Sequence, residues 1–320
     1  MRKAALLYNA RSGGRRKHRK SDLQQIQQVL AAAQVDAVLV VTQSSIDAAD
    51  QARKAIAEGC DTVFACGGDG TVHDVLQALA GTRVALGVVP MGTANALAHD
   101  LHLPLEPAKA VKAVIEGQAR RIAVGRVQVR GLDGNPTTRY FTVAVGVGID
   151  AHLFYKLHAG VKQRMGMAAY YHKAWHLWFT HRMERFVVSC GNEGMSSERA
   201  DVTEMLAVRI RNFGGALQEL APGASLERND LRVVTCRSSS RLAYLSYVTR
   251  SLLRANWSVP GVELAYSEKV RCDYVPRNAN ELTEANRVYV EADGELVGTL
   301  PAEVTIIPDA LTLLAPRPRN

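Results

Sequence analysis

The sequence predicts an α/β protein with a second, β-rich half: an N-terminal doubly wound domain on a parallel sheet, then a β-sandwich. Three observations predict it. Between Asp61 and Leu101, two short β-rich runs, Thr62–Cys66 and Val84–Val89, each lead into a glycine-bearing loop and then a helical pattern. The chain before them alternates strand and helix patterns in the same way, as parallel sheets require. From about Arg120 the texture changes to many short runs separated by turn residues.

Taken in order, Ala4–Tyr8 reads as the first strand, and Asn9–Gly14 as the loop after it. A helix is expected from Ser21 to Ala33, a strand over Val35–Val41 ending at Thr42, and a helix over Ile46–Glu58 stopped by Gly59. After Thr62–Cys66 comes Gly67-Gly68-Asp69-Gly70-Thr71, then a helical pattern through Val72, Val75, Leu76 and Leu79, closed by Gly81. Val84–Val89 leads into Pro90-Met91-Gly92-Thr93-Ala94-Asn95 and a further helical pattern. Leu105–Glu116 adds a helix introduced by Pro104. The first domain is assigned to residues 1–120 and the second to 121–307. In the second, strands are expected at Arg121–Arg130, Tyr140–Val147, Arg185–Cys190, Met205–Ile210, Leu231–Cys236, Val262–Val270, Val288–Glu291 and Val304–Ile307. Asp133-Gly134, Pro222-Gly223 and Asp293-Gly294 supply turns, and helices are expected near Ala151–Thr180 and Ser240–Arg254.

The loops of the first domain carry chemistry. Glycines let backbone approach a ligand closely, and N–H groups at a helix start form a positive pole for phosphate. In a parallel sheet, ligands gather beyond the carboxyl ends of the strands. Asn9–Gly14, Thr42, Gly67–Thr71 and Gly92–Asn95 all fall there, which points to one nucleotide-phosphate site.

Composition sets bounds. The 320 residues suit two domains, and apolar and charged contents of 47% and 22% are ordinary for a globular protein. No apolar run is long enough to span a membrane, and the N-terminal apolar stretch is too short for a signal peptide. Cys60, Cys66, Cys190, Cys236 and Cys272 form no C-x-x-C pair and read as reduced thiols of a cytoplasmic protein. A net charge of +8 suits an anionic partner such as a nucleotide or an acidic membrane surface. The basic cluster Arg11–Lys20 has no interleaved aromatics, and no nucleic-acid module is present. Gly160–Met183 is aromatic and basic, a pattern shared by core helices and by helices that lie on membranes. Gly146-x-Gly148-x-x-Ala151 mimics a dinucleotide fingerprint but lacks the acidic residue that fingerprint needs further on.

With GGDGT, P-x-GTAN and the Asn9–Gly13 segment, the chain resembles the diacylglycerol kinase catalytic-domain family. These are lipid kinases that include sphingosine and ceramide kinases, and the soluble bacterial members are most similar. GGDGT also resembles a motif of NAD kinases and phosphofructokinases. The resemblance implies that Asn9, Ser12, Gly13, Thr42, Gly67, Gly68, Asp69, Gly70, Thr71, Gly92, Thr93 and Asn95 contact ATP, with Asp69 the protein group nearest Mg²⁺. Ala10 stands where the family has Pro, His73 and Asp74 end the GGDGT-x-N-E pattern, and Ala96 replaces an Asp. The family also carries D-G-E near its C-terminus, followed by P-x-x-V-x-I-x-P. Asp293-Gly294-Glu295 and Pro301–Pro308 match, which makes Glu295 the candidate general base and Asp69 its catalytic companion.

The resemblance further implies a lipid pocket in or beside the second domain, return of residues 308–320 to the first, and a homodimer. A structural Mg²⁺ turn of bacterial relatives is degraded here at Leu226–Leu231, which lacks the Asp-Gly pair, so that site is not assigned. The expected activity is transfer of the ATP γ-phosphate to a lipid alcohol such as diacylglycerol, ceramide or sphingosine at a membrane surface. A kinase of a soluble acceptor such as NAD, and a non-catalytic nucleotide- or lipid-binding regulator, are the alternatives.

Overall fold

The computed structural model describes residues 1–10, 19–148, 184–191, 198–214, 219–237, 241–253, 258–274 and 287–317. The expected helix near Ala151–Thr180, the aromatic-basic segment and most of the Arg11–Lys20 cluster lie outside them. The chain forms two compact units. Unit 1 holds residues 1–124, 210–218 and 307–320, and unit 2 holds 125–209 and 219–306.

Unit 1 is built on parallel strands β1 (Lys3–Asn9), β2 (Asp36–Thr42), β3 (Thr62–Gly67) and β4 (Ala85–Pro90). Their order is β4-β3-β1-β2. β3 and β4 are buried throughout, so their continuous apolar runs reflect a sheet covered on both faces. Helices α1 (Arg19–Ala32), α2 (Ser45–Ala57), α3 (Asp69–Leu79), α4 (Ala96–Asp100) and α5 (Pro107–Ile115) connect them. α1 buries Ile26 and Leu30, one turn apart on one face. Ser44 caps α2 by accepting the Asp47 N–H, and Gly59, at φ 82°, lets the chain turn back after it. Pro107 begins α5, where its missing N–H costs nothing.

Unit 2 is antiparallel. Its strands are β5 (Gln118–Arg130, entering from unit 1), β6 (Pro136–Phe141), β7 (Ala144–Gly148), β8 (Phe186–Gly191), β9 (Glu198–Val202), β10 (Glu204–Val208), β11 (Leu231–Cys236), β12 (Val262–Ser267), β13 (Lys269–Asp273), β14 (Tyr289–Ala292) and the first part of β15 (Glu295–Ala315). One run is β12-β11-β10-β7-β14-β15, while β5 and β13 also pair with β15, extending to β6 and to β8-β9. Inward residues of both runs, among them Phe141, Val145, Val147, Phe186, Met205, Val290 and Val304, share one apolar core. Helix α6 (Arg241–Leu252) follows β11.

Three expectations change in detail. The strand expected over Tyr140–Val147 is two strands, broken at Thr142-Val143, because the N–H groups there turn to the Asp293 carboxylate. Val262–Val270 is also two strands, divided at Glu268, with the Ser267 hydroxyl bonding the Lys269 and Gly191 carbonyls at the corner. Conversely, Val304–Ile307 is part of a much longer strand, β15, whose end pairs parallel with β4 through Thr312↔Ala85. All five cysteines are free. Among the described residues, no helix is long and apolar enough to cross a membrane.

Candidate active site

Two loops of unit 1 meet backbone to backbone. β3 ends at Gly67, and Gly68 is the N-cap of α3. A Cβ on Gly92 would lie 2.3 Å from Gly68 Cα, so no side chain fits between the loops. A Cβ on Gly67 would meet the Thr71 side chain at 2.2 Å. The Asn9 side-chain amide, arriving from the end of β1, donates to Thr71 Oγ1 at 3.3 Å.

Asp69 fastens the loops together. Its carboxylate accepts from the Asn95 N–H at 2.9 Å and from the Ala96 N–H at 2.6 Å. Ala96 begins α4, so Asp69 caps that helix from the first turn of α3, where negative charge suits the helix dipole. Asn95 is left-handed (φ 52°, ψ 47°), a conformation asparagine tolerates. Its side chain closes on Gly92 in both directions: Oδ1 accepts the Gly92 N–H at 2.9 Å, and Nδ2 donates to the Gly92 carbonyl at 3.0 Å.

The sequence-selected residues therefore divide. Asn9, Gly67, Gly68, Asp69, Thr71, Gly92 and Asn95 are joined by these contacts. Gly70 lies in the first turn of α3, and Thr93 is exposed on the second loop. Thr42 is buried, and its hydroxyl donates to the Tyr8 carbonyl at 3.3 Å, tying β2 to β1. Ser12 and Gly13 lie outside the described residues. Sequence reasoning missed the cap made by Asp69. No local pattern shows it, because donor and acceptor lie 26 and 27 positions apart.

Sequence reasoning also missed the half-buried Asp100. Its Oδ1 accepts the Arg211 and Asn212 N–H groups, each at 2.9 Å, holding 210–214 against the end of α4. Burial raises the Asp100 carboxyl above the usual carboxylate range, and those two N–H groups oppose the rise.

In unit 2, Glu295 opens β15 directly after a two-residue hairpin loop. Asp293 (φ 50°) and Gly294 (φ 82°) both adopt positive φ, and Ala292 pairs with Glu295, the geometry of a type I′ turn. Asp293 is buried and accepts three backbone N–H groups: Thr142 at 3.0 Å, Val143 at 2.8 Å and Ala144 at 3.1 Å.

The Leu226–Leu231 turn has its own cation. Fully buried Arg209 reaches from the end of β10 and donates to the carbonyls of Leu226 (3.1 Å), Arg228 (2.7 Å) and Asp230 (2.8 Å). The Asp230 carboxylate is engaged elsewhere, by Arg228 at 2.5 Å and 2.7 Å. Among the described residues, no group of three or more His, Cys, Asp or Glu side chains is placed to hold a metal.

Comparison with known proteins covers both units. Residues 3–127 match the family model of the diacylglycerol kinase catalytic domain, and residues 143–315 match that of the YegS C-terminal NAD kinase beta sandwich-like domain. A diacylglycerol kinase of Mycobacterium tuberculosis (strain CDC 1551 / Oshkosh) is 29% identical, covering 88% of this chain and 86% of its own. One from Bacillus subtilis (strain 168) is 28% identical, covering 95% and 93%. The crystal structure of a diacylglycerol kinase from Bacillus anthracis str. Sterne superposes with a TM-score of 0.69 at 18% identity, covering 98% of this chain and 96% of that one. The chain belongs to the diacylglycerol kinase family, whose members are kinases with an alcohol group as acceptor.

Proposed function

We propose that the protein is an ATP-dependent lipid kinase. The observation that carries the reading is the fastening of the two glycine loops by Asp69, with Gly68 and Gly92 in backbone contact. A ligand that needs bare backbone and a helix N-terminus fits such a cradle, and a phosphate chain is that ligand. Asp69 places a carboxylate, whose two oxygens can together accept more than two contacts, at this cradle, with one backbone N–H on each oxygen. The residues therefore fit a nucleotide with its divalent ion, with Asp69 acting on Mg²⁺ directly or through water. Mg²⁺ bound with ATP would neutralise charge on the transferred phosphoryl group.

The chain's own residues do the rest. Gly67, Gly68, Gly70 and Gly92 hold the phosphates, while Thr71, Thr93, Asn9 and Asn95 supply polar contacts. Glu295 removes the proton as the acceptor hydroxyl oxygen bonds to the γ-phosphorus. The bond from that phosphorus to the β–γ bridging oxygen breaks, and ADP leaves. The acceptor is a lipid alcohol such as diacylglycerol, ceramide or sphingosine. The +8 net charge supports access to it at an anionic membrane surface.

The match of residues 143–315 to an NAD kinase beta sandwich-like model favours one control. The test is transfer of label from γ-labelled ATP with Mg²⁺ into micelle-dispersed diacylglycerol, monoacylglycerol, ceramide, sphingosine and phosphatidylglycerol, with NAD alongside. Label in a lipid, lost in Glu295→Gln, supports the reading. Label in NAD alone, or in nothing while ATP still binds, overturns it.

A further inference from the structure

The Gly-x-Gly of β7, which mimics a nucleotide fingerprint in the sequence, has a different use in the fold. Val145 and Val147 point into the sandwich core, so Gly146 and Gly148 present the opposite face. Gly146 is paired with Glu291 of β14, and Gly148 with Glu204 of β10. A Cβ on Gly146 would stand 2.8 Å from Glu291 Oε1, and a Cβ on Gly148 would stand 2.6 Å from Glu204 Oε2. The two glycines thus let a glutamate from each neighbouring strand lie across β7. Both glutamates are buried.

Glu291 uses that space to reach the next turn. Its Oε2 accepts the Gly294 N–H at 2.7 Å, inside the turn that carries Glu295. Asp293, the other residue of that turn, binds the three N–H groups of Thr142, Val143 and Ala144, and its own N–H donates to the Ala144 carbonyl at 2.9 Å. The chain breaks the strand expected at Tyr140–Val147 to supply those donors. Charge-assisted bonds of this kind are roughly twice as strong as neutral ones, and four of them converge on two consecutive residues and their anchor.

A bare Asp-Gly hairpin needs none of this, because the type I′ turn forms from local preference alone. What the added bonds fix is where the turn stands relative to β7. We infer that Asp293 and Glu291 are positioning residues for Glu295, and that Gly146 is glycine so that Glu291 can reach the turn. The chain of dependence runs from Gly146 to Glu291, to Gly294, to Glu295, with Asp293 clamping the same turn from its other side. This rests on Glu295 being the general base.

The experiment compares Glu291→Gln, Glu291→Leu, Gly146→Ala, Asp293→Asn and Glu295→Gln. Each is assayed with labelled ATP and the lipid acceptor identified by the panel above. The readouts are kcat, the KM for ATP, the pH–rate profile, the melting temperature and amide hydrogen exchange over 289–300. Glu291→Gln keeps an acceptor for Gly294 and should retain most of its kcat. Glu291→Leu and Gly146→Ala should lose on the order of 10²-fold in kcat, the usual consequence of misplacing a reacting group by an ångström. Their KM for ATP should stay within about twofold, and exchange at the turn should rise. Asp293→Asn should behave like Glu291→Leu, with its pH–rate profile displaced. Wild-type kcat in Glu291→Leu and Asp293→Asn, with Glu295→Gln inactive, overturns the positioning role alone. An active Glu295→Gln overturns the base assignment beneath it. A variant that melts early is decided by exchange in the Gln/Leu pair, where equal protection of the turn also overturns the proposal.

Discussion

Gly68 and Gly92 touch through their main chains, with room for a side chain on neither: a Cβ on Gly92 would be 2.3 Å from Gly68 Cα, and one on Gly68 would be 3.1 Å from Gly92 Cα. The asymmetry makes a prediction. Gly92→Ala must push the two loops apart, whereas Gly68→Ala needs a shift of only a few tenths of an ångström. Gly92→Ala should raise the KM for ATP by roughly tenfold or more, and Gly68→Ala by clearly less. Calorimetric titration of ATP into both variants checks the order.

Asp69 joins those loops by two backbone hydrogen bonds and supplies charge at the start of α4. Asp69→Asn keeps the shape, removes the charge and turns an NH₂ group toward an N–H donor. Loss of this cap should cost about 1–2 kcal/mol of stability. With the charge that we propose acts on Mg²⁺ gone as well, kcat should fall by ~10²-fold or more. Denaturant unfolding and turnover, measured on the same preparation, separate the two effects. Full activity in a destabilised variant would reduce Asp69 to a structural staple.

Arg209 is a cation built into the 226–230 turn. Three carbonyls depend on it, at 3.1, 2.7 and 2.8 Å. Arg209→Met would leave them without that donor in a buried place, at about 1–3 kcal/mol for each group left unpaired. The variant should melt far below wild type. Wild type should melt at the same temperature with and without EDTA, because the turn carries its own positive charge. Differential scanning fluorimetry tests both statements.

Asp100 gives a pH dependence. Burial raises its folded pKa above the ordinary value of 3.8, so the folded state takes up the proton first as pH falls. Its ionisation therefore works against the fold. The penalty is fully present above the folded pKa and disappears as pH drops through it toward 3.8. Asp100→Asn keeps an acceptor for the Arg211 and Asn212 N–H groups and removes the penalty. Its melting temperature relative to wild type should be highest at neutral pH, and the advantage should shrink as pH falls through the raised folded pKa toward 3.8. A constant difference across that range would show that Asp100 does not titrate in this window.

Much of this was legible in the chain. β3 and β4 are continuous apolar runs because both faces of the sheet are covered, and Gly59 and Gly81 mark helix ends through their positive φ. The Asp293-Gly294 hairpin reads directly because only residues tolerant of positive φ form that turn. Other features were hidden. β9 was not anticipated, since Glu-Arg-Ala-Asp-Val carries little apolar alternation and is a strand only because β8 pairs with it. The bond from the Thr42 hydroxyl to the Tyr8 carbonyl was hidden too, because it joins residues 34 positions apart.

Local signals thus set the alternation of strands and helices, the glycine loops, the turns and the family motifs, all of which depend on residues within a few positions of one another. The tertiary structure alone decided which charged side chain serves which backbone. Asp69 caps a helix that starts 27 residues later, Asp293 holds N–H groups 149 to 151 residues earlier, and Arg209 fills a turn some twenty residues on. The physical reason is common to all three. A charge taken wholly or partly out of water must find hydrogen-bond partners wherever the folded chain places them, and no short-range pattern in the sequence records that meeting.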